Sequence, residues 1–266
     1  MLAQLTGPPE EESQALDLFT AFVDRVSSLV SELGFGQTGW GFYLLGGAAM
    51  TLAVTVFAMI IGAIVGALVT WAKLADNVPA KIVGNIYTVV LRGAPELLII
   101  YMVYFGKVVD LIGNTVSALG LGDSHVINSF LAGALGVGLI SAAYQAEVFR
   151  GAYTAIFKGE IEAARSIGMH RFMRFRRIIA PQIMRYAIPG LGNVFQLSIK
   201  DSALISVTGL VEIMNASNKA AGSTKQFFMF FIVGACLYLV LTSISTRMFN
   251  AGERRVAKTF RRPVGM

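Results

Sequence analysis

The sequence predicts an all-α membrane protein, with five transmembrane helices preceded by an amphipathic N-terminal helix. Three observations carry this. Of 266 residues, 55% are apolar and only 14% charged, where a soluble domain carries about 25% charged residues. Five apolar stretches are long enough to cross a bilayer. Lysine and arginine gather in alternate connections between those stretches. Together these exclude a disordered chain, a secreted disulfide scaffold and an ordinary soluble enzyme. The single cysteine, Cys236, has no partner within the chain. The formal charge of +6 comes from bases that flank apolar spans, so it reads as membrane topology and no nucleic-acid partner is expected.

The elements follow in order. Residues 1–40 form an acidic segment with six acids and one base, Arg25. Pro8-Pro9 and the acids after it leave no basic leader of the secretory kind. Over residues 15–33 the apolar positions Leu18, Phe19, Phe22, Val23, Val26, Leu29, Val30 and Leu33 recur every three or four residues. That spacing predicts an amphipathic helix lying in the membrane interface or on the protein's own outer face.

Residues 41–255 are the transmembrane domain. The first span covers 44–69 and contains Gly62-x-x-x-Gly66, which permits close helix approach. The second, 84–105, is interrupted by Arg92-Gly93-Ala94-Pro95-Glu96. Proline removes a helical hydrogen bond, so Arg92, Gly93 and Pro95 mark a kink or gate. The third span covers 127–149. The fourth, 186–208, begins near Pro189-Gly190 and carries Lys200-Asp201. The fifth, 227–249, is uncharged until Arg247. Residues 256–266 are a basic tail. The loop 150–185 holds eight bases, the connection 71–81 two and the chain from Arg247 six; the opposite side has four in all. An outward-facing N-terminus and a cytoplasmic C-terminus follow, in a multi-pass membrane protein.

The loop 150–185 carries the function. Its segment Gly159-Glu160-Ile161-Glu162-Ala163-Ala164-Arg165-Ser166-Ile167-Gly168 is followed at fixed distance by Ile178 and Pro181. Small side chains at Ala163 and Ala164 let another surface approach the helix backbone. Gly168 allows the chain to leave the helix. The result is a compact knob, trailed by Arg171, Arg174, Arg176 and Arg177.

This pattern resembles the cytoplasmic loop signature of ABC importer permeases, and the chain looks like the polar amino acid branch, the histidine- and glutamine-type permeases. Leu91-Arg92-Gly93-Ala94-Pro95, the run from Ala143 to Gly151, Lys158-Gly159 and the run from Leu197 to Leu204 also fit. The resemblance spans about residues 40–255. Two departures stand out: Ala180 precedes the motif's proline where leucine is common, and the first 40 residues exceed the family core.

The resemblance implies a MetI-like permease fold and a transport role. It further implies that Glu162, Ala163, Ala164, Gly168, Ile178 and Pro181 seat the knob on a separate ATPase. The partners it implies are two ATP-binding subunits, a second permease (a different chain favoured over a second copy) and a periplasmic substrate-binding protein. ATP and magnesium would be held by the ATPase. This chain has no Walker loop and no His-Glu-x-x-His pattern, and no cofactor, metal or catalytic role is expected of it.

Ionisable groups within a span are costly and usually face a cavity or a partner. Thr51, Glu147 and Asp201 are the candidates for a substrate path, with an ion pair between Glu147 and Arg150 as the alternative. One carboxylate suits a substrate ammonium and a second suits a cationic side chain, so among the substrates the resemblance implies, cationic amino acids such as histidine, arginine, lysine and ornithine, or related opines, are favoured. The competing class is an ion-coupled secondary amino acid carrier, whose folds often use inverted repeats that five spans do not divide into.

Overall fold

The computed structural model describes residues 19–20, 31–36, 39–106, 109–110, 115, 118 and 124–259. The amphipathic helix expected over 15–33 and most of the basic tail lie outside the described residues. Every regular element among the described residues is helical: α1 (Gly41–Leu74), α2 (Val78–Gly93), α3 (Glu96–Tyr104), α4 (Ser124–Thr154), α5 (Lys158–Ser166) and the single turn α6 (Arg171–Arg174). A π turn, Phe175–Ile179, leads into α7 (Ala180–Asp201). A 3-10 stretch, Ser202–Thr208, precedes α8 (Ile213–Thr224) and α9 (Phe227–Thr259). The chain divides into two compact units, Met1–Gly46 and Gly47–Met266. In the first, the amide of Trp40 donates to the Glu32 carbonyl at 2.8 Å, and the Phe35 and Phe42 rings meet edge-on at 5.1 Å.

Three helices are long and apolar enough to cross a membrane: Gly41–Leu74, His125–Thr154 and Phe227–Val256. Two bent pairs supply the remaining spans, Val78–Gly93 with Glu96–Tyr104 and Arg171–Thr208 with Ile213–Thr224. Among the described residues the spans number three straight ones, and five, as the sequence has them, when each bent pair counts as one. Proline 95 does more than kink its span, since the two halves turn by 105°. Ala94 is extended, capping α2, and Pro95, at φ −57° and ψ 125°, opens α3.

Three expectations are corrected. The connection 209–226 is no simple loop, because α8 occupies most of it. Its buried face, Ile213, Ala216, Ser217, Ala220 and Ala221, is helically spaced but too small and polar to read as a span. The segment 150–185 is largely helical, with α4 running on to Thr154 and a helical path resuming at Arg171. Pro189 lies inside α7 without ending it.

The core explains the arrangement. Helix α4 packs on α7, α3 and α2, while α9 packs on α7 and α8. Val54 and Ala58 of α1, Ile99 and Ile100 of α3, and Val137 and Ile140 of α4 meet Ile205 and Leu210 in one buried cluster. Helix α1 divides lengthwise. Phe57, Ile60, Ile64, Leu68 and Trp71 are exposed, as lipid-facing side chains should be. The opposite stripe of small residues faces α4. A Cβ on Gly66 would stand 3.0 Å from the Ala142 carbonyl oxygen, and one on Gly62 would strike the Gln145 amide. Gly62-x-x-x-Gly66 thus serves packing within the chain.

Candidate functional site

Helix α5 is short and exposed, and its ends are well defined. Glu160 lies in its first turn and Arg165 in its last, each sign on the favourable end of the helix dipole. At the C-terminus, Gly168 adopts φ +80°. Its amide donates to the Arg165 carbonyl at 2.9 Å, and that of Met169 to the Ala164 carbonyl at 3.0 Å. These two bonds form a Schellman ending, which requires the left-handed residue that glycine accepts without strain. The glycine expected to release the chain from the helix does so.

Beyond Gly168 the chain turns back along α5. His170 is exposed, and its Nδ1 accepts the Met173 amide at 3.3 Å to start α6. The following helical path brings Ile178 and Pro181 beside Ala163 and Ala164. With Glu160, Ile167, Arg177 and Gln182 they line one open hollow of about 450 Å³. The Gln182 side-chain amide donates to the Glu160 carboxylate and ties the two walls together. Four of the six signature positions therefore share one surface, although the sequence separates them. Of the other two, Gly168 makes the turn, and Glu162 is exposed beside the hollow without lining it.

None of the three candidates for a substrate path lines the hollow beside α5. Thr51 is fully buried, and its hydroxyl accepts the Ile213 amide at 3.3 Å. Glu147 is held by Lys73 and by Arg150, whose Nε lies 2.9 Å from it. Its charge is thus answered inside the protein, which matches the ion-pair alternative. Asp201 is buried, and its carboxyl lies within hydrogen-bonding reach of Glu96, with Lys200 nearby. Arg92 does not meet Glu96 across the break. Its guanidinium stacks over the Tyr144 ring of α4 at 5.2 Å, a favourable cation–π placement.

Two polar centres were not anticipated. Glu212 is fully buried and caps α8, accepting the amides of Met214 at 2.8 Å and Asn215 at 2.7 Å. The Tyr238 hydroxyl of α9 donates to it at 2.7 Å. Lys73, at the end of α1, donates to Thr88 of α2 at 2.9 Å as well as to Glu147. An acid directly before a helix is a weak N-terminal signal; for Lys73 the sequence offers none beyond its place at the end of a span.

Residues 58–258 match the family described as binding-protein-dependent transport system inner membrane component. The octopine transport system permease protein of Rhizobium meliloti is 47% identical over 232 residues, covering 87% of this chain and 98% of that protein. The histidine/lysine/arginine/ornithine transport system permease protein of Escherichia coli K12 is 38% identical over 218 residues, 82% of this chain and 94% of that one. A crystal structure of an amino acid ABC transporter with histidines superposes with a TM-score of 0.67 at 30% identity, over 81% of this chain and 95% of its own. An inward-facing methionine ABC transporter shares the fold at a TM-score of 0.64 and 18% identity, over 81% of this chain and 96% of its own.

Proposed function

The chain belongs to the family of binding-protein-dependent transport system inner membrane components, and from that premise we propose how its parts serve import. It is a membrane permease subunit that works with an ATPase, a substrate-binding protein and a second permease. The observation that carries the mechanism is the convergence of Ala163, Ala164, Ile178 and Pro181 on one exposed hollow. A hollow walled by small and apolar groups fits a projecting apolar side chain from another protein. We place it on the cytoplasmic side, against one of two ATP-binding subunits that hold ATP and magnesium. The N-terminus then faces the periplasm and the C-terminus the cytoplasm, the arrangement that puts most bases inside.

In this reading, closure of the ATPases draws the α5 knobs together and swings the spans between inward- and outward-facing states. A binding protein delivers substrate at the outer face. The second permease is a related, non-identical chain, with a second copy as the alternative. The substrate is a cationic amino acid or an opine. The acidic pair Asp201 and Glu96 suits a substrate bearing a positive group, and the octopine and histidine/lysine/arginine/ornithine permeases are relatives. Glu147, already paired with Lys73 and Arg150, is placed outside the substrate path.

Competition for uptake tests the substrate class. In vesicles containing the complete transporter, unlabelled arginine, histidine or octopine is expected to suppress uptake of the labelled substrate that the binding protein delivers. Leucine and glutamate should not. Competition by neutral or acidic amino acids alone would overturn the assignment.

A further inference from the structure

Lysine 73 ends the small-residue stripe of α1 and is almost fully buried, its side chain 8% exposed. A lysine at such depth is expensive unless it is paired. Here it reaches two helices at once, the hydroxyl of Thr88 on α2 and the carboxylate of Glu147 on α4. Its stem lies against Gly84 of α2, where a Cβ would approach the Lys73 Cγ to 2.6 Å. Glycine at that position makes the slot for the lysine. One turn earlier on α1, the Thr70 hydroxyl donates to the Ala146 carbonyl at 3.0 Å. Glu147 takes its second base, Arg150, from its own helix.

The position of this cluster matters. Glu147 lies two turns before the end of α4, which is joined to α5 by only three residues, Ala155, Ile156 and Phe157. Ile156 is buried, and its amide bonds back to the Tyr153 carbonyl at 3.2 Å, so the joint is short and anchored. Displacement of α5 must therefore move the end of α4. At the far end of α2, Arg92 rests on Tyr144 just before the 105° break.

We propose that Lys73 is a positioning residue that binds α1, α2 and α4 into one moving body, so that displacement entering at the α5 knob reaches the break after Gly93. The inference rests on the importer reading above. Close packing at Gly62 and Gly66, the Thr70 hydroxyl on the Ala146 carbonyl and the Gln145 side-chain amide on the Met59 carbonyl at 3.2 Å hold α1 against α4. Helix α2 meets α4 through the Tyr87 hydroxyl, which donates to the Leu139 carbonyl at 2.9 Å, and through Arg92 over Tyr144; the buried ammonium joins α1 to both helices at once. A methionine at 73 fills the same slot but makes neither bond.

The test uses the complete transporter, with ATPases, second permease and binding protein, in vesicles where ATP hydrolysis and uptake are measured together. Lys73→Met is expected to assemble with its partners and hydrolyse ATP, while substrate moved per ATP falls roughly tenfold, within the range seen for coupling residues. Lys73→Arg, which keeps a charge for Glu147 and Thr88, should restore most of the ratio. Glu147→Gln should fall with Lys73→Met, and the double variant should be no worse than either alone. An unchanged ratio in Lys73→Met refutes the joint. So does a loss of partners in step with the loss of uptake, which would make Lys73 merely structural. Failure of the unmutated complex to link uptake to hydrolysis would instead overturn the importer reading itself.

Discussion

Gly168 shows how a single backbone angle sets the function of the knob. At φ +80° a side chain is strained by the backbone alone, since a Cβ there would meet nothing within 4 Å. The cost for an L-residue is about 1–2 kcal/mol, enough to redirect the exit from α5 without unfolding the spans. Gly168→Val is expected to insert normally yet take up substrate slowly, whereas Gly168→Asn keeps most activity because asparagine tolerates this conformation. Equal uptake by all three would remove the turn from the mechanism. Glu212 supports a different prediction. Replacing it by alanine removes the acceptor of the Met214 and Asn215 amides and one partner of the Tyr238 hydroxyl, and a lost partner at a buried donor costs about 1–3 kcal/mol. Glu212→Ala should lower the thermal midpoint in detergent, with Glu212→Gln falling between it and the parent. Gly168 was legible because its spacing lies within one contiguous motif. Glu212 was not, because its partners Thr51 and Tyr238 lie far along the chain and the sequence gives no local pairing to expose it.

Among the elements, legibility followed hydropathy. The straight spans α1, α4 and α9 each carry an apolar run of bilayer length, so they were readable from the sequence. Broken elements were harder. Pro95 announced an interruption, but the size of the turn depends on α3 packing Ile99 and Ile100 into the common cluster, a long-range contact no local signal encodes. Helix α8 was missed because alanine and serine bury its face, and buried small residues leave little hydropathic trace. The small residues of α1 nonetheless carry a testable consequence. Gly66→Val places branched carbons where the Ala142 carbonyl and Ala146 amide already stand at 3.0 and 3.2 Å from a Cβ. Overpacking of this kind costs about 1–3 kcal/mol. A reduced yield of monodisperse protein is expected, while Gly46→Val, where a Cβ meets nothing within 4 Å, should be nearly neutral.

For the molecule as a whole, the proposed reading has charge set the orientation and the knob set the partnership. Of the four bases that trail the knob, Arg177 lines the hollow; in the proposed reading Arg171, Arg174, Arg176 and Arg177 mark the side retained in the cytoplasm. In intact cells, a cysteine introduced at Lys219 should react with an impermeant maleimide and one at Arg165 should not, with Cys236 replaced by serine. The reverse pattern would invert the topology. The sequence reading reached the fold, the family and the knob because these reside in long apolar runs and one spaced motif. The polar ties at Lys73 and Glu212 escaped it, since each joins single residues on separate helices.

Copurification is the most direct test of the claim that the knob between α4 and α6 is the seat of the ATPase. Ala163 is exposed at the hollow, so Ala163→Arg places a long charged side chain at the mouth while leaving the buried Ala164 in place. The tagged parent, solubilised from its native membrane, should bring with it a Walker-containing ATPase. The Ala163→Arg protein should insert in equal amount and lose that ATPase. Retention of the ATPase by the variant, in the same proportion as the parent, would contradict the account.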